Sequence, residues 1–322
     1  MVRKLISKLG VLLLLMVTLL AGCGLDHKGE PALYTIVDDG GAKVAFTKVP
    51  QRVLTLSMGL DSIVLGLGAE ERLVAISSFA EDPTSSNIVE KAKKIKHKLD
   101  TPSLEELFSL RPDVIFLNKG YYSDIVANLR DLGIKVVEVN TPSSISQVQE
   151  NIQLIAKALG CEDQGQELIE LMDKRLDRLK AKVAKERPKK VMLISLMGSF
   201  GTRGSLYDDM CTKAGVINCL GGLEPGQSLT KEYILMADPE LLLLPSFNNY
   251  GKFDVASYNK QYTEDPALAP VKAIAQGSLV YPREYYLYNN SQDVVLGVEE
   301  LAYLAYGKDY ALADREHLQV KK

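Results

Sequence analysis

Short β-type runs alternate with helical stretches twice along this chain, and a long striped helix separates the two series. In the first series, "VLTLS" (53–57), "LVAIS" (73–77), "DVIFLN" (113–118) and "KVVEVN" (135–140) are the expected strands, with helices between them at 59–68 and 121–132. "KVMLISL" (190–196), "LLLLP" (241–245) and "SLVYP" (278–282) make up the second. Strands that alternate with helices pair in parallel, because each helix is the crossover that returns the chain to the same sheet edge. Between the series, at roughly 163–186, Leu168, Met172, Leu176, Leu179 and Val183 recur every three or four residues. They give one apolar stripe on an otherwise charged helix, which Pro188 stops. The expected fold class is α/β, with two lobes of mainly parallel sheet joined by one long rigid helix. About 300 residues suffice for two such lobes of 100–150 each.

The two series also echo each other. "SLEELFSLRPDVIFL" (103–117) overlays "TKEYILMADPELLLL" (230–244) without a gap, so that Glu105 meets Glu232, Pro112 meets Pro239 and Asp113 meets Glu240. "RVLTLSMG" and "KVMLISLMG" open the two halves similarly. Two matches in the same order point to a pseudo-duplicated architecture. Ahead of the first series, "YTIVDDGGAKVAF" (34–46) reads as a hairpin around Asp–Gly–Gly, and the polar residues 25–32 read as a tether.

At the start of the chain, Arg3, Lys4 and Lys8 precede an apolar run that ends in "LLAGC" (19–23). The run is too short for the ~20 residues of a spanning helix. A charged head, a short apolar core and small residues before a cut make a secretory signal. With the cysteine at its end, the pattern resembles a bacterial lipoprotein signal. That resemblance implies cleavage before Cys23, acylation of its thiol, and export to a membrane-tethered position; an ordinary signal peptide or a short anchor is the alternative. The expected organisation is a signal peptide at 1–22, a lipidated tether at 23–32, an N-terminal lobe at 33–160, a bridging helix at 161–187 and a C-terminal lobe at 188–322.

Composition removes several function classes. A net charge of −3 argues against a nucleic-acid partner. His27, His97 and His317 are far apart, which disfavours a histidine metal site and leaves no partner for a serine nucleophile. Once Cys23 is used, Cys161, Cys211 and Cys219 are an odd number; Cys211 and Cys219 either bridge or remain buried thiols.

Taken together, 49–77, 102–116, 229–244 and 265–282 resemble the substrate-binding proteins of ABC importers for iron–siderophore, haem and cobalamin. The resemblance implies a ligand cleft between two lobes and delivery to an ABC permease dimer with its ATPase. It implies a monomer that performs no chemistry, holds no resident cofactor or protein-bound metal, and works on the outer face of the cell membrane or in the periplasm. In that family, acids at the positions of Glu105 and Glu232 dock on permease arginines. The bland alternative is also physical: with Ser103 and Thr230 as N-caps, each Glu falls in a first helical turn, where an anion is favourable by ~0.3–1 kcal/mol.

Ligand residues follow from topology, since open parallel sheets bind ligands beyond the carboxyl ends of their strands. The residues after the expected strands are Met58, Phe79, Lys119 with Tyr121 and Tyr122, Phe200 with Arg203, Phe247 with Tyr250, and Tyr285 with Tyr286. Tyrosine suits a large amphipathic ligand, and Arg203 and Lys119 suit carboxylates on a chelate. A tyrosinate or Met58 is a conceivable axial ligand to haem iron, but recognition of a complete chelate is the expectation. The leading reading is a receptor for iron–siderophore or haem, with a corrinoid second. A hydrolase built on "MGSFG" (197–201) and a surface receptor without a permease are the rivals.

Overall fold

The computed structural model describes residues 31–198, 200–246, 253–310 and 314–321. Cys23, Phe247 and Tyr250 lie outside the described residues. The hairpin forms as β1 (Tyr34–Val37) and β2 (Lys43–Phe46), antiparallel, with the Tyr34 and Phe46 rings stacked 5.0 Å apart.

The first series folds into a five-stranded parallel sheet. Its strands are β3 (Val53–Thr55), β4 (Leu73–Ser77), β5 (His97–Leu99), β6 (Val114–Asn118) and β7 (Lys135–Val139), in the order β5-β4-β3-β6-β7. The second series gives β8 (Lys190–Leu193), β9 (Ile217–Asn218), β10 (Leu241–Leu243) and β11 (Leu279–Val280), parallel in the order β11-β10-β8-β9. In both sheets the order reverses beside the first strand, between β3 and β6 and between β8 and β10. The sequence pattern missed β5 and β9.

The repeat seen in the sequence is a repeat of structure. Asp113 accepts from the Arg52 N–H at 3.0 Å, and Glu240 accepts from the Lys190 N–H at the same distance. Arg52 donates through its guanidinium to the Leu110 carbonyl, and Lys190 donates through its ammonium to Ala237, the residue that overlays Leu110. Arg111 and Asp238, each just before the proline, share a left-handed φ of 47°. Each carboxylate also meets a cation upstream, Lys48 at 3.1 Å or Arg187 at 2.5 Å. The pairings match as well: Val53 faces Val114, and Val191 faces Leu241.

A helix over Glu162–Val183 follows the expected stripe, with Leu168, Met172, Leu179 and Val183 buried and Leu176 half-buried. Near its start it packs on the helix Ile145–Leu159 of the first lobe, so closely that a Cβ on Gly165 would lie 2.6 Å from that of Ala156. Near its end Arg175 pairs with Glu299 at 3.3 Å, on the helix Val294–Tyr306 of the second lobe. The buried apolar core is continuous between the lobes. A smaller cluster, including Leu54, Ile115, Leu107 and Leu129, covers the opposite face of the first sheet.

At the end of the expected C-terminal lobe of 188–322, the chain returns to the first lobe. Residues 317–320 run back across the junction to the helix Met58–Gly66, because Leu318 and Val320 are apolar and find burial there (7% and 4% exposed). Val320 N–H donates to the Gly66 carbonyl at 2.9 Å, and Gln292 donates to Ser62 O at 2.8 Å and Leu318 O at 3.0 Å. Asp293, fully buried, accepts from Asn87 at 2.9 Å, from the Leu318 N–H at 2.8 Å and from His317 Nδ1 at 2.5 Å. This strap needs glycine at position 66: a Cβ there would sit 2.3 Å from Gln292 Nε2. Gly66→Ala is expected to lower stability by about 1–3 kcal/mol through overpacking. Urea unfolding measures this, and an unchanged midpoint would mean the strap tolerates a methyl group.

Candidate functional site: a cleft between the sheets

A cleft of about 930 Å³ opens where the carboxyl ends of the two sheets face each other. From the first lobe, β3 leads to Leu56, Ser57 and Met58, β4 to Ser77 and Phe79, and β5 to Asp100. Asn118, Tyr121 and Tyr122 come from the end of β6, and Thr141 follows β7. The second lobe supplies Leu196 and Met197 after β8, and Glu284, Tyr285, Tyr288 and Asn290 after β11. Phe253 and Tyr258 come from the start of the helix Val255–Thr263 and the residues before it.

Hydrogen bonds fix the second-lobe wall. Tyr288 donates to Ser195 Oγ at 3.0 Å, and Tyr258 donates to the Ser195 carbonyl at 3.1 Å. The Tyr288 ring lies 4.4 Å from that of Phe200, and Phe253 meets Tyr258 edge-on at 5.7 Å. Burial pushes the Tyr288 phenol up to about 12, and burial together with Tyr262 raises that of Tyr258. Both rings therefore present neutral hydroxyls at physiological pH. In the facing wall, Tyr122 holds a left-handed φ of 57° at the start of the helix Ser123–Asp131. A bulky residue rarely adopts that conformation. Its hydroxyl donates to the Asp100 carbonyl at 3.3 Å.

Beneath the cleft, Asp61 is completely buried. Thr55 Oγ1 lies 2.5 Å from one of its oxygens, and the Ser77 N–H donates to the other at 3.1 Å. Burial drives its pKa well above the usual carboxylate range. Burial thus favours the protonated carboxyl more than in an exposed aspartate, while the hydrogen bonds donated by Thr55 and the Ser77 N–H favour the ionised form.

Met58, Phe79, Tyr121, Tyr122 and Tyr285 come together in the lining as the strand-end reading expects. The other described residues do not. Tyr286 is 2% exposed and bonds the Arg315 carbonyl, because neighbours on a helical turn cannot share a face. Tyr288, three residues after Tyr285, takes the second place instead. Arg203 is exposed outside the lining, with its charge met by Glu224 at 3.0 Å and its Nε on the Gly221 carbonyl. Lys119 is exposed and also outside it. Phe200 lines a smaller neighbouring cavity of about 140 Å³. Met197 and Asn290 were missed although strand-end and helix-end logic reaches both; Tyr258 and Phe253 carry no local signal.

Cys161, Cys211 and Cys219 are buried free thiols, so the alternative of a 211–219 bridge is not realised. Among the described residues no group of three or more His, Cys, Asp or Glu is placed to hold a metal ion. Ser199 of the "MGSFG" stretch lies outside the described residues, and His317 is bound to Asp293 behind the cleft. Ser103 and Thr230 cap their helices by accepting from the Glu106 and Tyr233 N–H groups, each at 3.2 Å. Glu105 and Glu232 are fully exposed, and each has its pKa lowered by its own N–H and then by the capping hydroxyl.

Two parallel sheets with facing carboxyl ends and a cleft between them define a two-lobed binding protein. The profile of the periplasmic binding protein family matches residues 53–286, and the chain belongs to that family. It is 24% identical over 283 residues to the ABC transporter substrate-binding lipoprotein YvrC of Bacillus subtilis, covering 80% of this chain and 88% of the relative. It is 24% identical over 294 residues to the Fe(3+)-citrate-binding protein YfmC of the same organism, covering 86% and 89%. A crystal structure of a periplasmic binding protein from Veillonella parvula shares the fold with a TM-score of 0.72 at 15% identity, covering 85% of this chain and 98% of the other.

The raised pKa of Asp61 fixes a sign. Its folded form keeps a proton that the unfolded form releases near pH 4, so its stabilising contribution is largest in acid and declines as pH rises. Asp61→Asn imitates the protonated acid, with its NH₂ facing Thr55 and its oxygen facing Ser77. Urea midpoints at about pH 5 and pH 8 are expected to show wild type losing ground to the variant on going to the higher pH. Equal slopes for the two proteins would show that Asp61 is ionised in the fold.

Proposed function

We propose that this protein is a lipid-anchored, extracytoplasmic receptor that captures a metal chelate, an iron–siderophore or haem, and delivers it to an ABC permease. The observation that carries this reading is the aromatic-walled cleft of about 930 Å³, the size of a site for a large amphipathic ligand. Tyr121, Tyr122, Tyr258, Tyr285 and Tyr288 offer broad apolar faces with a hydroxyl at the edge of each, which suits recognition of a chelate whose metal is already coordinated. Membership of the family, and the likeness to a substrate-binding lipoprotein and an Fe(3+)-citrate-binding protein of Bacillus subtilis, support the role of an ABC-importer binding protein. One observation favours a corrinoid as second reading. Among the described lining residues there is no Lys or Arg to meet propionates, whereas Asn118, Asn290, Ser57 and Thr141 match amides and hydroxyls. Delivery is assigned to Glu105 and Glu232, one exposed carboxylate per lobe, each a partner for a permease arginine.

Protein lacking residues 1–23 is titrated with a ferric trihydroxamate, ferric citrate, haem and cyanocobalamin, followed by absorbance and tyrosine fluorescence. One class is expected to saturate at a single site, and Tyr288→Ala to weaken it about tenfold, the loss of one aromatic contact. Absence of saturation with all four probes would sink the chelate reading.

The anchor is tested separately. Mass spectrometry of the mature wild-type protein is expected to find an acylated Cys23 at the N-terminus, and Cys23→Ala to release the protein from membranes. An unmodified Cys23, or a cut elsewhere, would contradict the lipoprotein assignment.

A further inference from the structure

Each lobe exposes an apolar side chain beside its glutamate, at the same position of the repeat. Phe108 is 50% exposed and Leu235 is 40% exposed, and the two overlay when 103–117 is laid on 230–244. Each lies three residues after its glutamate on a short helix, Leu104–Ser109 or Lys231–Ala237, so carboxylate and apolar group share an outward side. The inward position repeats too: Leu107 is fully buried and Ile234 is 1% exposed. The helices therefore meet their packing needs without Phe108 and Leu235. Met236, 72% exposed, enlarges the apolar part on the second lobe.

We infer that Phe108 and Leu235 are apolar anchors of a two-part docking surface, each seating in a pocket beside the basic residue that its neighbouring glutamate meets. This rests on the receptor reading above and adds to it the chemistry of the partner. The occupant is a two-fold symmetric membrane permease. Two faces built from the same cap, the same carboxylate, the same exposed apolar position and the same turn into a strand fit a partner that presents one complementary surface twice. Ionised Glu105 and Glu232 require a cation on each copy. A half-exposed phenylalanine adjoining such an ion pair removes water from it and has the character of an interface hot spot.

The test uses the full-length, lipid-anchored protein and an ABC permease–ATPase complex from the same cells, reconstituted in lipid nanodiscs. Association is measured at about 0.1 M and about 1 M salt, over which the screening length falls from ~10 Å to ~3 Å. Glu105→Ala with Glu232→Ala is expected to weaken association at the lower salt and to approach wild type at the higher. Phe108→Ser with Leu235→Ser is expected to weaken it about tenfold at both, with an unchanged urea midpoint. Wild-type association by the serine double variant, while the glutamate variant is impaired, would overturn the anchor inference and leave the receptor reading standing. No association of wild type with the permease would remove the receptor reading itself. Concentration-dependent dimerisation of wild type that Phe108→Ser abolishes would assign the patch to a second copy of this chain and equally overturn the inference.

Discussion

A carboxylate that closes the start of a parallel strand pair sets the geometry of both lobes. Asp113 and Glu240 each stand just after a proline, at the point where a short helix turns into β6 or β10, and each accepts a backbone N–H at the start of the neighbouring strand, from Arg52 just before β3 or from Lys190, the first residue of β8. The hydrogen bond from Arg187, with that from the Lys190 N–H, holds the Glu240 carboxyl at about 2. In return, Arg52 and Lys190 reach the last carbonyls of the preceding helix, groups that a helix end leaves unsatisfied. The register of β3 on β6 and of β8 on β10 is therefore fixed at their amino ends. A slip of one residue would turn every inward side chain outward. With register fixed, the residues beyond the carboxyl ends are fixed too, and these are the walls of the cleft. The same device orients the helices that carry Glu105 and Glu232, so ligand cleft and outer faces are set by one repeated arrangement.

The cleft walls differ in how they are held. In the second lobe, Ser195 just after β8 accepts from both Tyr258 and Tyr288, and the Phe200 ring packs at a tilt against Tyr288. At Tyr258 and Tyr288 that wall is a preorganised aromatic surface whose hydroxyls already have partners. In the first lobe, Tyr121 and Phe79 are exposed at the rim (63% and 48%) and Tyr122 is held in a costly backbone conformation. A large ligand thus meets one fixed wall and one with side-chain freedom. This division suits a site that takes up a bulky ligand without rearranging its core.

How much of this was legible in the sequence follows from where each signal is encoded. Strands buried on both faces announce themselves as apolar runs, as in "DVIFLN" and "LLLLP". Strand β5 escaped because His97 and Lys98 are only half-buried in a lysine-rich stretch, and β9 because two residues carry no period. Residues directly after a strand were placed well, since chain connectivity alone takes Met58, Tyr121 and Tyr122 to the cleft. Tyr285 was placed and Tyr286 was not, because a strand-end rule ignores helical phase. Arg203 was legible as a charge, but its neutralisation by Glu224 depends on a loop that folds back from beyond β9. Tyr258 reaches the cleft from a helix, and the strap at 317–320 from the far end of the chain; both placements are tertiary and leave no local pattern.

The strap bears on how a ligand enters. The long helix has no proline or glycine between residues 166 and 183, so it lacks the usual points of bending. Behind the cleft, Asn87 and Ser62 of the first lobe are hydrogen-bonded to Asp293 and Gln292 of the second, and both of those second-lobe side chains are fully buried. Opening the lobes wide would expose an apolar core shared between them and would exchange the hydrogen bonds of Asp293 and Gln292 to the first lobe for bonds to water. Moving the exposed aromatic side chains of the rim costs far less, since rotamers there interconvert without losing buried contacts. The exposed side chains of Phe79, Tyr121, Met197 and Phe253 are therefore the parts of the cleft wall least restrained by buried contacts. A partner that engaged both outer faces at once would gain from the rigidity of this junction, because preorganised surfaces cost less to order on binding.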